Sequence, residues 1–253
     1  MIITPLGTAS AYGDSAQGWT CNLLNCKLLL DAAPQARLAM RSLKITPDDL
    51  ETVIITHTHG DHIFGFPFIL AERSPDLDPL RVIGPEGTEE KLVRLCELAF
   101  SHAAPDKMVV QELPSRKVSE IRAGEYHLLA APTDHSPESL GYKITGPGGT
   151  RLGYSGDAAW STGLKEILAG VDAAMVEMTF IDEENDEHLS LQQHLPLLME
   201  AVPAPAPIFL THLGRHRIEY LHALQKMART LPGPQARDIF RVIPVEELKE
   251  YSF

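Results

Sequence analysis

Three histidines and an aspartate, His57, His59, Asp61 and His62, fall within six positions directly after the apolar run Val53 to Ile55. The apolar run reads as a buried strand. Strand propensity does not explain its ending, because Gly and Asp are poor strand formers and clustered imidazoles bury badly. Metal coordination does. His57 and His59 share one side of an extended chain and can pinch one cation, while Asp61 and His62, past the kink at Gly60, can turn towards a second. The alternative is an idle, solvated turn. Four ligand-type residues so close together at a strand end argue against it.

A two-metal site needs further ligands, and three candidates also stand at strand ends. His135 follows an apolar stretch from Tyr126 to Ala131, Asp157 follows Arg151 to Ser155, and His212 follows Ile208 to Leu210. Alone, each would read as a cap or a surface residue. Repeated along one chain, the pattern of an apolar strand ending in a ligand-type side chain points to a single site. Two divalent metal ions held about 4 Å apart can lower the pKa of a shared water and clamp a developing oxyanion, so the expected chemistry is hydrolysis at phosphorus or a carbonyl by a metal-bound hydroxide. Asp61 is expected to accept the proton of that water as well as to bind metal. Zinc is the expected metal, and manganese and iron suit the same ligands.

The elements that must position these residues follow from periodicity. Strands are expected from Met1 to Leu6, in a hairpin over Cys21 to Asp31, and at Arg81 to Gly84, Met108 to Leu113, Tyr126 to Ala131, Leu140 to Thr145 and Arg151 to Ser155. Thr88 to Phe100 places Leu92, Leu95, Cys96 and Ala99 on one helical face. Helix is also expected over Ala36 to Leu43 and Phe64 to Arg73. The start of the latter, Phe64-Gly65-Phe66-Pro67, either lines a substrate mouth or packs in the core. From Leu164 onward helix and strand alternate: helices at Leu164 to Leu168, Leu191 to Val202 and Ile218 to Ala228, strands at Ala173 to Met178, Ile208 to Thr211 and Ile239 to Ile243. Strand-rich halves with interspersed helices suggest an α/β (α+β) fold, a two-sheet sandwich flanked by helices.

At 253 residues the chain suits one domain over 1–253. Its 44% hydrophobic and 22% charged composition is that of an ordinary globular protein. No apolar run is long enough to span a bilayer, and the start has no basic segment leading an apolar core, so a cytoplasmic location without membrane contact is expected. Three cysteines, Cys21, Cys26 and Cys96, form no C-x-x-C pair, which argues against a disulfide framework and fits a reducing compartment. The net charge of −12 argues against long nucleic acid as a partner. It leaves room for a small-molecule substrate, expected to be anionic, since bound cations make a site locally positive.

The stretch Thr56-His57-Thr58-His59-Gly60-Asp61-His62 resembles the H-x-H-x-D-H motif of the metallo-β-lactamase superfamily. That resemblance implies a four-layer αββα sandwich with one or two metal ions at one edge of the sheets. It also implies the ligand sets: His57, His59 and His135 on one metal, Asp61, His62 and His212 on the other, and Asp157 bridging. Leu6-Gly7-Thr8-Ala9-Ser10, the stretch His135 to Tyr142, Tyr154-Ser155-Gly156-Asp157 and Glu177-Met178-Thr179-Phe180 look like motifs of the ribonuclease Z and phosphodiesterase branch, so the resemblance spans residues 1 to about 216. In that branch a histidine ahead of a helix touches the scissile phosphate and protonates the leaving oxygen. His188 stands in that place, where neighbouring acids favour its protonated form; otherwise it is a surface histidine in an acidic run. The branch resemblance also suggests a homodimer.

Two departures bear on substrate. The chain has no long Gly- and Lys-rich insertion to act as a tRNA-gripping arm, and Asp31-Ala32-Ala33-Pro34 replaces the branch's usual D-C-G-E. Both favour small or cyclic phosphodiesters over tRNA 3′ processing. Arg215 and His216 either help to bind an anion or form surface salt bridges. A carboxyl-ester, lactone or thioester hydrolase would use the same ligands, and a metal-binding scaffold without turnover would keep only some of them.

Overall fold

The computed structural model describes residues 1–13, 16–101, 105–136 and 138–253. Fourteen strands form two seven-stranded sheets among these residues. The first sheet carries β1 (Ile2–Gly7), β2 (Cys21–Leu24), β3 (Leu28–Leu30), β4 (Thr52–Ile54), β5 (Leu80–Pro85) and β6 (Met108–Leu113). The second carries β7 (Ser119–Ala123), β8 (Tyr126–Thr133), β9 (Ser139–Thr145), β10 (Arg151–Tyr154), β11 (Ala173–Glu177), β12 (Ile208–Thr211) and β13 (Val242–Pro244). The last strand, β14 (Tyr251–Ser252), returns to pair with β1 in the first sheet. Each sheet begins with antiparallel neighbours and ends with parallel ones: β3 to β6 in the first, β10 to β13 in the second. In consequence β3, β4, β8, β10, β11 and β12 deliver their carboxyl ends to one edge of the sandwich.

The inner faces pack together through Leu28, Leu30, Ile54 and Ile83 from the first sheet against Leu128, Tyr142, Leu152, Tyr154, Met175 and Phe209 from the second. On the outer face of the first sheet lie α1 (Ala36–Ser42), α2 (Gly60–Ile63), α3 (Phe66–Glu72) and α4 (Thr88–Phe100). On the outer face of the second lie α5 (Thr162–Leu168), α6 (Leu191–Ala201) and α7 (Arg217–Ala228), with α8 (Gly233–Asp238) beside α6 and α7. The architecture is the expected four-layer αββα sandwich. Each layer buries one apolar face, the condition for stacking helices and sheets.

Several local expectations shift. The helix expected over Phe64 to Arg73 is the shorter α3, Phe66–Glu72; α2 is a separate turn over the motif residues Gly60–Ile63, and between them the chain passes Gly65 beneath the carbonyl of Ala33, where any side chain would collide with backbone. Phe66 is buried in the core and Phe64 faces solvent, so that stretch packs and does not line the cavity. In α4, Leu92 and Cys96 carry the buried face, with Leu95 partly covered and Ala99 exposed. The closing strand begins at Val242, since Ile239–Arg241 forms a single 3-10 turn. β7 alternates charged and apolar residues on an exposed edge, which the apolar pattern alone does not flag. Cys21 lies buried in β2 and Cys26 exposed in the hairpin turn. Of the His135 to Tyr142 motif, Pro137 lies outside the described residues.

Three residues at the working edge adopt left-handed backbone: Asp31 (φ 61°), Gly156 (φ 59°) and His212 (φ 52°). They end β3, β10 and β12, and the abrupt turns aim the following or own side chains across the gap between sheets. A Cβ on Gly156 would also come within 2.6 Å of Thr56 Cβ. Gly156→Ala is therefore expected to lower unfolding free energy by about 2–4 kcal/mol in urea titrations, whereas the same change at exposed Gly148, with open space around it, should leave the midpoint within about 0.5 kcal/mol.

Candidate metal centre

The motif residues leave β4 in extended form and enter α2, which starts at Gly60. That switch divides the four ligand-type residues: His57 and His59 precede the helix, Asp61 and His62 lie within it. His135, Asp157 and His212 arrive from the ends of β8, β10 and β12. Seven residues expected from separate strand ends thus come together at one edge, in two groups: His57, His59 and His135, and Asp61, His62, Asp157 and His212.

The spacing within each group is informative. Ligands about 2.0–2.1 Å from a tetrahedral cation stand roughly 3.3 Å from one another. His59 Nδ1 lies 3.1 Å from His57 Nε2 and 3.3 Å from His135 Nε2. His62 Nε2 lies 3.3 Å from Asp61 Oδ2 and 3.4 Å from Asp157 Oδ1, and His212 Nε2 lies 3.2 Å from Asp157 Oδ2. Asp157 Oδ2 is also 3.8 Å from both His57 Nε2 and His135 Nε2, so this carboxylate stands between the groups. His62 Nε2, His212 Nε2 and Asp157 Oδ1 are buried without a hydrogen-bond partner. Buried polar atoms rarely go unpaired, and here the orphans converge. The donor set, its spacing and its unpaired atoms fit divalent cations.

A second ring of oxygens fixes the imidazoles. Thr56 Oγ1 donates to the Asp31 carboxylate, leaving its lone pair to accept from His57 Nδ1 at 3.1 Å. Asp31 Oδ2 accepts from His62 Nδ1 at 3.0 Å. Thr179 Oγ1 donates to Glu177 Oε2 and accepts from His212 Nδ1 at 2.9 Å. The Glu187 carbonyl accepts from His135 Nδ1 at 3.2 Å. In all four rings the outer nitrogen is engaged, and Nε2 is left to the cluster. Such outer partners orient ligands and raise their basicity.

The titration behaviour follows from burial and charge. Burial holds His57 well below its ordinary pKa and also lowers His59 and His135, so these three are neutral, as ligands must be. For His62 burial works the same way, but Asp157 and Asp31 outweigh it and hold the ring well above its usual value. Its extra proton supplies the positive charge that the buried carboxylates demand, a charge that a divalent cation at Nε2 would supply in its place. Burial would raise Asp61 and Asp157; the neighbouring His212 and His62 instead hold both well below the ordinary carboxylate range.

His188 lies beside this cluster, its ring 4.9 Å from His135 and 5.4 Å from His212 between centroids. Its Nδ1 is 2.9 Å from Oε1 of the fully buried Glu177. Glu177 also accepts from the backbone N–H of Leu189, Ala158 and Thr179. Burial disfavours the His188 imidazolium, but the hydrogen bond and charge of Glu177 win and raise its pKa to about 9. Of the acidic run Asp182 to Glu187, expected to charge this ring, Glu187 is among the main causes, but the dominant partner is Glu177 from β11. Arg215 pairs with Glu183 at 2.9 Å, and His216 caps α7.

Asp31, Tyr154, Glu177 and Thr179 were not singled out individually by sequence as functional residues. Asp31 is fully buried and accepts from Thr56 N, Thr56 Oγ1, His62 Nδ1 and Tyr154 Oη. Its visible signals were an aspartate closing an apolar strand and its place at the start of the stretch that stands where the branch carries D-C-G-E. Asp31→Asn keeps the shape but offers His62 and Thr56 a weaker acceptor. It is expected to weaken divalent-cation binding about 10–100-fold in competition titrations against a chromophoric chelator, with Lys117→Gln, on an exposed loop, as the unaffected control.

The comparisons with known proteins agree with this geometry. Residues 27–213 match the family model described as the β-lactamase superfamily domain. The ribonuclease BN of Cronobacter sakazakii is 31% identical over 152 residues, 57% of this chain and 49% of that protein, so the chain spans about half the length of the curated relatives it matches. Among solved structures, the short form of human tRNase Z superposes with a TM-score of 0.75 at 20% identity, covering 100% of this chain and 99% of that one. A diphosphatase from the PhnP family does so with a TM-score of 0.71 at 18% identity, covering 100% and 97%. Relatives named for ribonuclease activity stand at odds with the expectation against long nucleic acid. The chain belongs to the β-lactamase superfamily domain family and takes the metallo-β-lactamase fold.

Proposed function

We propose that the chain is a single metal-dependent hydrolase domain acting as a phosphodiesterase on small phosphodiesters, with His57, His59 and His135 binding one divalent ion, Asp61, His62 and His212 a second, and Asp157 both. Zinc is the metal this donor set favours. Bound divalent cations supply acidification of water at neutral pH and neutralisation of charge building on phosphate oxygens. Asp61, held as a carboxylate, accepts a hydrogen bond from the attacking water and orients it; its depressed pKa makes it a weak base.

The observation that carries the phosphodiesterase reading is the His188–Glu177 pair. A phosphodiester releases an alkoxide, which needs a proton as the bond to phosphorus breaks. His188 lines the same cavity of about 760 Å³ as His59, Asp61, Asp157 and His212. With Nδ1 held by Glu177, its Nε2 is the nitrogen left to donate. A raised pKa keeps the ring protonated at neutral pH, as a general acid requires. The fully buried Glu177 offsets the positive charge and holds the ring orientation.

A second reading, ribonuclease Z-like processing of tRNA, is favoured by the ribonuclease relatives. The absence of any Gly- and Lys-rich insertion within 1–253 weighs against it. The homodimer has one feature in support: Leu38, Phe68 and Phe100 line a largely apolar groove across α1, α3 and α4.

His188→Ala is expected to lower kcat on a methyl or other alkyl phosphodiester by about 10²–10⁴-fold. On bis-p-nitrophenyl phosphate the loss should be far smaller, because p-nitrophenolate leaves without a proton. Equal losses on both would remove His188 as the acid. Because the acid must be protonated, kcat/KM on the alkyl ester should fall as pH rises through the His188 pKa. Nearby cations pull that value down, so the limb is expected at or below the pH of about 9 set by Glu177. Glu177→Gln should move it lower. A panel of bis-p-nitrophenyl phosphate, 2′,3′-cyclic AMP, a tRNA precursor and a simple lactone separates the readings; turnover of the lactone alone would sink the phosphodiesterase assignment.

A further inference from the structure

The cavity is chemically divided. Its buried end is the histidine and aspartate cluster. Its exposed end is lined by Tyr12, Phe180, Glu183, Glu187 and Arg215. Arg215 is the single lysine or arginine among the lining residues, and its charge is taken by Glu183 at 2.9 Å and Glu219 at 3.9 Å. The Glu187 carboxylate has no hydrogen-bond or ion-pair partner among the described residues, yet it is near enough to His59 and His188 to act on both electrostatically. Its backbone is held: Asn185 Oδ1 accepts from the backbone N–H of Glu187 and His188, and the Glu187 carbonyl accepts from His135. Tyr12 is 98% exposed on the cavity rim. Phe180 stands with its ring 6.2 Å from His188.

An exposed aromatic on a cavity rim, a second aromatic beside the reacting end and a carboxylate lining the same cavity suit one kind of group. Ammonium ions bind aromatic faces, the more so when a carboxylate is near. An added anion at this end would meet Glu187, while the one lysine or arginine among the described lining residues, Arg215, is already paired and the His188 charge is held by Glu177; the phosphate belongs at the cluster.

We propose that the substrate is a zwitterionic phosphodiester, one whose alcohol carries a cationic amine, with the phosphate at the cluster and the ammonium group among Tyr12, Phe180 and Glu187. This deepens the phosphodiesterase reading above and rests on it. It places charge of opposite sign at the two ends of the substrate, matching the two ends of the cavity, and it sets the chain apart from enzymes acting on polyanions.

The test compares p-nitrophenyl phosphocholine with its carbon isostere, p-nitrophenyl 3,3-dimethylbutyl phosphate, in which an uncharged tert-butyl group replaces the trimethylammonium, using the metal-loaded full chain. The leaving group and shape are the same, and only the charge differs. The choline ester should be preferred by on the order of tenfold in kcat/KM, carried by KM, and 0.5 M salt should narrow the preference. Glu187→Gln and Tyr12→Ala, both at exposed positions whose fold can be checked by circular dichroism, should each bring the ratio towards one. Equal turnover of the two esters, or a ratio that neither substitution moves, overturns the amine and leaves phosphodiester hydrolysis standing. Faster cleavage of an oligoribonucleotide than of the choline ester overturns it in favour of nucleic acid. No turnover of either ester, with hydrolysis of a lactone, overturns the phosphodiesterase reading and this inference with it.

Discussion

Buried negative charge is the constraint on which the rest of the structure depends. Asp31, Asp157 and Glu177 are almost wholly enclosed, and Asp61 is largely so, all at one edge of the sandwich. An ionised carboxylate taken out of water is costly unless hydrogen bonds and positive charge replace what water supplied. Each has found a different remedy. Asp31 gathers four hydrogen bonds from Thr56, His62 and Tyr154. Glu177 takes three backbone N–H groups, Thr179 and His188. Asp61 and Asp157 face only imidazoles, His62 and His212 among them. Their remaining demand for positive charge is what divalent cations would meet.

The backbone bears a share of this arrangement. Asp31 and His212 both sit in left-handed conformation, which costs a side-chain-bearing residue about 1–3 kcal/mol. The two sheets over-determine these turns through the apolar contacts of their inner faces, and the Tyr142 hydroxyl crosses the gap to donate to the Ile55 carbonyl. Rigid strands thus deliver ligands from four places in the chain to one point with little freedom to relax. Function sits on the connections, at the carboxyl ends of strands, while stability resides in the layers beneath.

In the proposed mechanism, the two carboxylate-centred networks would separate metal binding from proton transfer. Asp31 and Thr56 hold rings in the orientation a cation needs. Glu177 and Thr179 do that for His212 and at the same time keep His188 charged. Thr179 touches both His212 and Glu177, so the proposed ligand and the proposed acid would be joined through one hydroxyl.

Much of the site was legible from residue types and spacing. Clustered histidines at the end of an apolar strand violate strand propensity, and a violation of that kind needs a chemical cause; the same logic picked out His135, Asp157 and His212. The apolar alternation placed most strands and both helix-bearing faces, since burial imposes those periods directly on sequence. Other features carried no such mark. β7 is an exposed edge with alternating charges, and the break at Gly65 depends on the Ala33 carbonyl overhead. The partners Asp31, Tyr154, Glu177 and Thr179 stand in stretches that resemble family motifs, but their individual roles emerge only when the fold brings them against the histidines. Sequence by itself determined which atoms could hold metal and which layers could form, because ligand chemistry and hydrophobic periodicity are local properties. Tertiary structure alone decided which nitrogen each imidazole presents, why His188 stays protonated, and where the unpaired charge of Glu187 points, because those depend on distances between residues far apart in the chain.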